Sequence, residues 1–277
     1  MITSTADPVA ATVVAAFRRG LGLLLTAAAA AVLVIALVGP ALVSGDPGRI
    51  VGQPYLGPEA GMLLGTDSSG RDVLARLLAG GRPLLLIPLV AVCLTAVIGT
   101  VLGMLAGYLG GIVDGAVSRL DGLLLAIPPI LVLLVLLHSW GYHDITLIVV
   151  VITTSAPFVS RLARAATRQA LHSGYVEQAV ALGDGPAAVL IREILPNIVR
   201  PVLADAGTRL AIAITLTSSA GFLGFGPDQP NWGAMIRQNF EGIELTPWGV
   251  LAPALCLAFL TVSANLLMDR ISRRIIR

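Results

Sequence analysis

Asp205 and Arg209 stand four residues apart inside a largely apolar stretch, and they are the first side chains of this 277-residue chain to invite a chemical reading. With the acid first, that spacing suits an ion pair along one helix face. Arg209 would lie on the order of 12 Å inside the apolar helix. Charges at such a depth either line a polar path or neutralise each other near an interface, and both readings stay open. Elsewhere the reactive repertoire is thin. His138 and His143 flank a short turn without a Cys or carboxylate cluster, which makes a poor metal site. Cys93 and Cys256 sit in separate apolar runs, where small buried hydrophobes are expected and a disulfide is not. All 18 basic residues are Arg. Without Lys there is no Walker-type phosphate ligand and no Schiff-base amine, so the chain cannot hydrolyse ATP by the Walker route. H-E-x-x-H and Ser-based protease motifs are absent as well. A net charge of +2 makes no case for nucleic acid.

The elements that must position these residues are set by hydropathy. The chain is 56% hydrophobic and 12% charged, where a soluble domain carries about 25% charged residues. Its mean hydropathy is +0.89. Several apolar runs reach the roughly 20 residues that a bilayer crossing needs, and the pattern predicts an all-α membrane protein with about six transmembrane helices. They fall at Leu21–Val43, Leu84–Leu109, Leu123–Leu137, Ile145–Val159, Pro201–Leu223 and Trp248–Met268. Arg18 and Arg19 precede the first run in the manner of a signal peptide. That run is longer than a signal's apolar region of about 7–15 residues and lacks a small-residue cleavage pattern, so an uncleaved span is expected. Gly99, Gly103 and Gly107 form a smooth face for close helix packing. Pro128 and Pro129 bend or partly open the third span, after a tight loop at 110–119.

With the N-terminus inside, twelve loop and terminal Arg fall on the cytoplasmic side and five on the other, which satisfies the positive-inside rule and places both termini in the cytoplasm. Residues 44–82 then form an extracytoplasmic segment. Within it, Val73, Leu74, Leu77 and Leu78 recur at helical spacing and predict a short amphipathic helix lying at the membrane surface.

The polar insert after the fourth span reads EQAVALGDGPAAVLIREILPN from Glu177 to Asn197. It describes two short helices joined by a turn. Gly183 follows the first as a natural C′ residue, Asp184 is placed to cap the second, Pro186 fits its first turn, and Pro196 is expected to stop it.

This pattern of Glu-x-Ala, a Gly four residues on, an apolar helix and Leu-Pro resembles the cytoplasmic EAA loop of ABC importer permeases. Gln178 replaces the usual second Ala, and Glu193 stands where a His is common. Two further segments, GTDSSGRDVLARLLAGGR at 65–82 and FLGFGPDQPNWGAMI at 222–236, resemble the second, C-type permease of dipeptide, oligopeptide and nickel systems. The end of the last span, Asn265–Asp269, is a looser match. The resemblance implies the type I ABC importer permease fold and a bacterial inner-membrane location. Residues 83–270 would be a core of five helices with a cytoplasmic coupling loop at 160–200, between a cytoplasmic N-terminus at 1–20, a first helix at 21–43 and a basic tail at 271–277.

It also implies partners: a second permease in a heterodimer, two ATPase subunits that carry ATP and magnesium, and an extracytoplasmic solute-binding protein. Membrane lipid is the surrounding solvent, and the chain itself holds no cofactor or metal and performs no catalysis. Glu177, Gln178, Ala179, Gly183, Ile191, Leu195 and Pro196 would couple to the ATPase. Asp67, Arg71, Asp72 and Trp232 are candidates for contact with the partner permease or the binding protein. The acid usual in the family's fifth span falls, by register, at Thr217, which joins Asp205 and Arg209 as a pathway candidate. Short peptides are the expected cargo, with nickel or a metal chelate as the alternative. A proton-coupled secondary transporter would use Asp205, yet it has no need of the EAA loop.

Overall fold

The computed structural model describes the backbone of residues 26–43, 45–226 and 229–275, with side chains to residue 268. The N-terminal segment 1–20, the start of the first span and the side chains of the basic tail lie outside that description. All regular elements among the described residues are helices, apart from isolated bridges. In chain order they are α1 (Thr26–Leu42), α2 (Val73–Ala79), α3 (Arg82–Leu109), α4 (Gly111–Ala126), α5 (Pro129–Trp140), α6 (Asp144–Leu171), α7 (Gly174–Ala181), α8 (Pro186–Ala188), α9 (Leu195–Ala220), α10 (Trp232–Asn239) and α11 (Trp248–Ile275). A π-helical turn at Val189–Ile194 joins α8 to α9, and a second at Gly221–Phe225 follows α9.

Three runs, Val73–Leu109, Asp144–Leu171 and Trp248–Met268, are long and apolar enough to cross a membrane, and α4 with α5 makes a fourth, bent by 84°. α1 is apolar but shorter, and α9 carries Arg200, Asp205 and Arg209 along its first half. Each of the six expected spans thus corresponds to a helix or a bent pair.

The bend has a local cause. Ile127 precedes a proline and is held extended, at φ −92° and ψ 122°, because the proline ring clashes with a helical neighbour. Pro129 then opens α5, where a missing N–H costs nothing. Residues 111–119, expected as a loop, are already the first turns of α4. Their Gly and polar residues mask a helix whose start is tied down by charge. Asp114 accepts from Arg164 (2.8 Å) and from Arg168 (2.6 Å), both on α6.

The most extensive helix pair is α3 with α6. A Cβ on Gly99 would lie 2.6 Å from Val159 Cβ, and one on Gly107 would lie 2.9 Å from the Arg164 carbonyl oxygen, with Gly103 closer still to that of Ser160. Both series ascend together, so α3 and α6 run parallel. The bent α4–α5 pair must therefore cross back between them. α9 and α11 run antiparallel, since Gly207 early in α9 packs on Met268 late in α11. Ser263 of α11 donates to the Ala29 carbonyl of α1 at 2.6 Å, holding the first helix on the bundle.

Two further expectations change. α6 continues beyond Val159 to Leu171, so the polar insert begins as an extension of the fourth span. α2 does not lie with its apolar side against lipid. Val73 and Leu77 are buried in the protein core beside Trp232, Met235 and Cys256.

The glycine contact is open to direct test. Gly103→Ala places a methyl into the α6 backbone and is expected to cost about 1–3 kcal/mol, as overpacking does. Gly115→Ala meets nothing within 4 Å and should hold or raise stability, since Ala is the better helix former. Thermal unfolding of the two purified variants in detergent separates the cases.

Candidate functional site

The loop between α6 and α9 folds as a helix, a turn and a helix. At the end of α7, Leu182 is followed by Gly183 at φ +93°. The Asp184 N–H donates to the Ala179 carbonyl (3.1 Å) and the Gly183 N–H to that of Val180 (3.0 Å). These two bonds are a Schellman closure, which requires a left-handed residue at Gly183. Asp184 thereby contributes its backbone; the second helix starts at Gly185 without a side-chain cap, which corrects the capping role expected of Asp184. Pro196 does not stop that helix. It lies in the first turn of α9, and the π turn before it carries the chain without interruption from Pro186 into the fifth span.

Val176, Ala179, Val189 and Ile194 seat this loop on Met104, Ala163 and Ala170. Among the seven residues assigned to coupling, Ala179 therefore faces inward and Leu195 is half-buried, while Glu177, Gln178, Gly183, Ile191 and Pro196 are exposed. Leu182 is 79% exposed and Ile191 62% exposed, so the tip presents apolar side chains that the subunit itself leaves uncovered.

Within α9, Arg209 forks onto Asp205 through Nε–Oδ2 (2.8 Å) and Nη2–Oδ1 (3.2 Å). The guanidinium also lies 4.4 Å from the centroid of the Phe158 ring on α6. A bidentate pair covered by an aromatic face neutralises both charges, which is what intramembrane ionisable residues require. Thr217 is buried and its hydroxyl has no partner among the described residues. The open side of α9 is presented instead by Thr215 and Ser219. Thr217 thus does not line an open surface of the subunit.

The motifs at 65–82 and 222–236 fold onto each other. Asp67 is fully buried; it accepts from the N–H groups of Ser69 and Arg71 and pairs with buried Arg76. Arg76 Nη2 reaches Gln238 Oε1 at 3.1 Å. Trp232, also fully buried, donates from Nε1 to the Leu77 carbonyl at 2.7 Å. Asn239 Oδ1 accepts from the Ser68 N–H at 2.9 Å. Asp72 caps α2 through the Leu74 N–H, and Asn231 caps α10 through those of Gly233 and Ala234. Asn231 also donates to the Tyr142 hydroxyl at 3.4 Å, and burial first, then Asp144, pushes that phenol above its ordinary pKa, so it stays neutral. Asp67 and Trp232, expected as partner contacts, are therefore internal fasteners, because no part of either reaches the surface. Arg71 and Asp72 are partly exposed. Sequence reasoning missed Arg76, Gln238, Asn231 and Asn239. Asn231, immediately before a helix, was the one with a readable signal, as a capping residue.

Residues 99–277 match the family described as the binding-protein-dependent transport system inner membrane component. The chain belongs to that family. It is a multi-pass ABC transporter permease, a membrane subunit of a family without a catalytic role of its own. It is 36% identical over 241 residues to a probable peptide ABC transporter permease, y4tQ, of Sinorhizobium fredii, covering 85% of this chain and 81% of that one. The di/tripeptide transport system permease DppC of Pseudomonas aeruginosa is 34% identical over 215 residues, and the glutathione transport system permease GsiD of Pectobacterium atrosepticum 35% over 216; each alignment covers 77% of this chain and 71% of the relative. The permease also shares its fold with a chain of the inward-facing MetNI methionine ABC transporter, at a TM-score of 0.52 and 21% identity, over 70% of this chain and 94% of that one. The type I importer permease fold follows from this.

The charge pair in α9 supports a double-mutant cycle. Asp205→Asn and Arg209→Gln are each expected to lower the yield of folded protein, and the double change to lower it less than their sum. A coupling of about 0.5–3 kcal/mol is the range for contacting residues. Zero coupling in thermal unfolding would assign the two residues separate roles.

Proposed function

We propose that this permease forms half of the translocation path for short peptides in a bacterial inner-membrane importer, paired with a second permease and driven by two ATPase subunits. An extracytoplasmic binding protein delivers the solute. The observation that carries the reading is the loop 174–196: a Schellman-closed helical tip seated on the bundle, with Leu182 and Ile191 exposed and Glu177 without an ion-pair partner among the described residues. A tip of that kind suits a groove on another protein. Its unbroken continuation through the π turn into α9 gives a route by which a push on the tip reaches the fifth span. An importer permease offers inward- and outward-open arrangements, and ATP shifts their balance only by binding the assembly differently in each. ATP and magnesium act on the partner subunits, consistent with the absence of Lys from this chain. Peptide cargo is favoured over nickel or a metal chelate because similar permeases are named for peptide, di/tripeptide and glutathione transport. The Arg distribution supports cytoplasmic termini, with the loop on the same side.

In this arrangement Gly183→Val forces a branched side chain into a left-handed conformation and re-aims the second half of the loop. Glu177→Arg inverts a charge at the docking surface, where losing one partner of a close pair costs about 2–5 kcal/mol. Both variants should insert and pair with the second permease, yet lose solute-stimulated ATP hydrolysis and uptake. Wild-type uptake by both would remove the loop from the coupling mechanism. Cysteines introduced at Leu182 and at Glu59 should label from the cytoplasmic and external sides respectively, and the reverse pattern overturns the orientation.

A further inference from the structure

Two open cavities meet at Phe222. One, of about 320 Å³, lies between α9 and α11 and is lined in part by Thr215, Ser219 and Thr261. The other, of about 430 Å³, is lined by Phe222, Arg237, Gln238, Phe240 and Glu241. In the first, Thr215 donates to the Ala211 carbonyl (2.9 Å), Ser219 to that of Thr215 (2.8 Å) and Thr261 to that of Leu257 (2.9 Å). A hydroxyl has one proton and two lone pairs. With each proton engaged inside its own helix, this wall offers acceptors to whatever enters.

The second cavity has the opposite character. Arg237 and Glu241 are exposed and a helical turn apart, yet neither has an ion-pair or hydrogen-bond partner among the described residues. Phe222 and Phe240 beside them are 47% and 60% exposed. Gln238 between the two charges is fixed by Arg76. The Arg237 guanidinium rests against Gly224, at φ +94°, where an added Cβ would stand 2.6 Å from Nη1. That glycine leaves room for the guanidinium in its observed position.

We propose that these two cavities, which share Phe222, together form a subsite for a zwitterionic di- or tripeptide. Arg237 takes the carboxylate, Glu241 takes the terminal ammonium, the two Phe rings flank apolar side chains, and the hydroxyl wall accepts peptide N–H groups. A simple anion would meet Glu241 and a simple cation Arg237, whereas a ligand with both charges satisfies both. Two or three extended residues span roughly 7–10 Å, within reach of side chains one turn apart. The inference rests on the peptide-import reading and assigns that function to residues of its own.

The test uses the complete importer in proteoliposomes. ATP-driven uptake of a dipeptide with free ends is compared with its C-terminal amide and its N-acetyl form. Arg237→Gln should raise the apparent KM of the free dipeptide about tenfold, the loss of one charge-assisted hydrogen bond, and leave that of the amide unchanged. Glu241→Gln should do so for the free dipeptide and not for the N-acetyl form. Glu244→Gln, an exposed acid outside the groove, should change neither. Where a blocked peptide is not carried, photolabelling with a dipeptide containing benzoylphenylalanine decides, through adducts at Phe222 or Phe240 that excess dipeptide abolishes. Free and blocked peptides shifting together would assign the charges to binding-protein docking and overturn the subsite. Unchanged kinetics with no adduct in the groove would also overturn it while leaving the importer intact. No ATP-driven uptake of any peptide by the wild type would overturn both readings.

Discussion

The architecture depends on one close approach, the glycine face of α3 against the backbone of α6. Inside a bilayer, apolar side chains gain nothing by leaving lipid, so helices associate where backbones can come near enough for dispersion to act over a long surface. Gly99, Gly103 and Gly107 allow that approach only in register with Val159, Ser160 and Arg164. The parallel direction of the pair obliges α4 and α5 to return across the same thickness, and the two prolines give them the bend with which they do so. The same register sets where the second half of α6 emerges, and with it the platform of Ala163 and Ala170 on which the loop 174–196 is seated.

Three charge clusters share one pattern. Deep in the bundle, Asp205 and Arg209 neutralise each other beneath an aromatic ring. In the knot around Trp232, Asp67 is matched by Arg76 and by backbone donors. At the end of α6, Asp114 takes two guanidinium groups. Arg serves in each place, and its planar fork, always ionised, satisfies several acceptors from a fixed geometry where an ammonium would act as a point charge. Among the groups without an ion-pair partner in the described residues are Arg237, Glu241 and Glu177, at the proposed groove and at the loop tip.

Much of this was legible before any coordinates. Runs of about 20 apolar residues have few alternatives to a membrane helix, so the spans and their order could be read directly. The Gly183 turn could be read because a left-handed residue after a helix leaves a compositional mark, and the Asp205–Arg209 pair because its spacing lies on a single helix. The start of α4 was hidden by glycines and polar residues that look like a loop until Asp114 is joined to Arg164, 50 residues on. The contact of Arg76 with Gln238 was beyond reach for the same reason, since the two lie 162 residues apart. Burial of α2 could not be read because an amphipathic pattern does not say whether protein or lipid covers the apolar side. The burial of Thr217 could not be read from the chain, because two residues along a helix turn a side chain from the open face to the core.

The knot around Trp232 also has a meaning in time. Leu77 leaves the ribosome 155 residues ahead of the indole that hydrogen-bonds to it. At roughly 5–20 residues per second, that leaves an interval on the order of ten to thirty seconds. Throughout it, Val73 and Leu77 have no Trp232 or Met235 to cover them, and Arg76 has no Gln238. The α2 segment therefore waits with its fastening surface uncovered until α10 has been made.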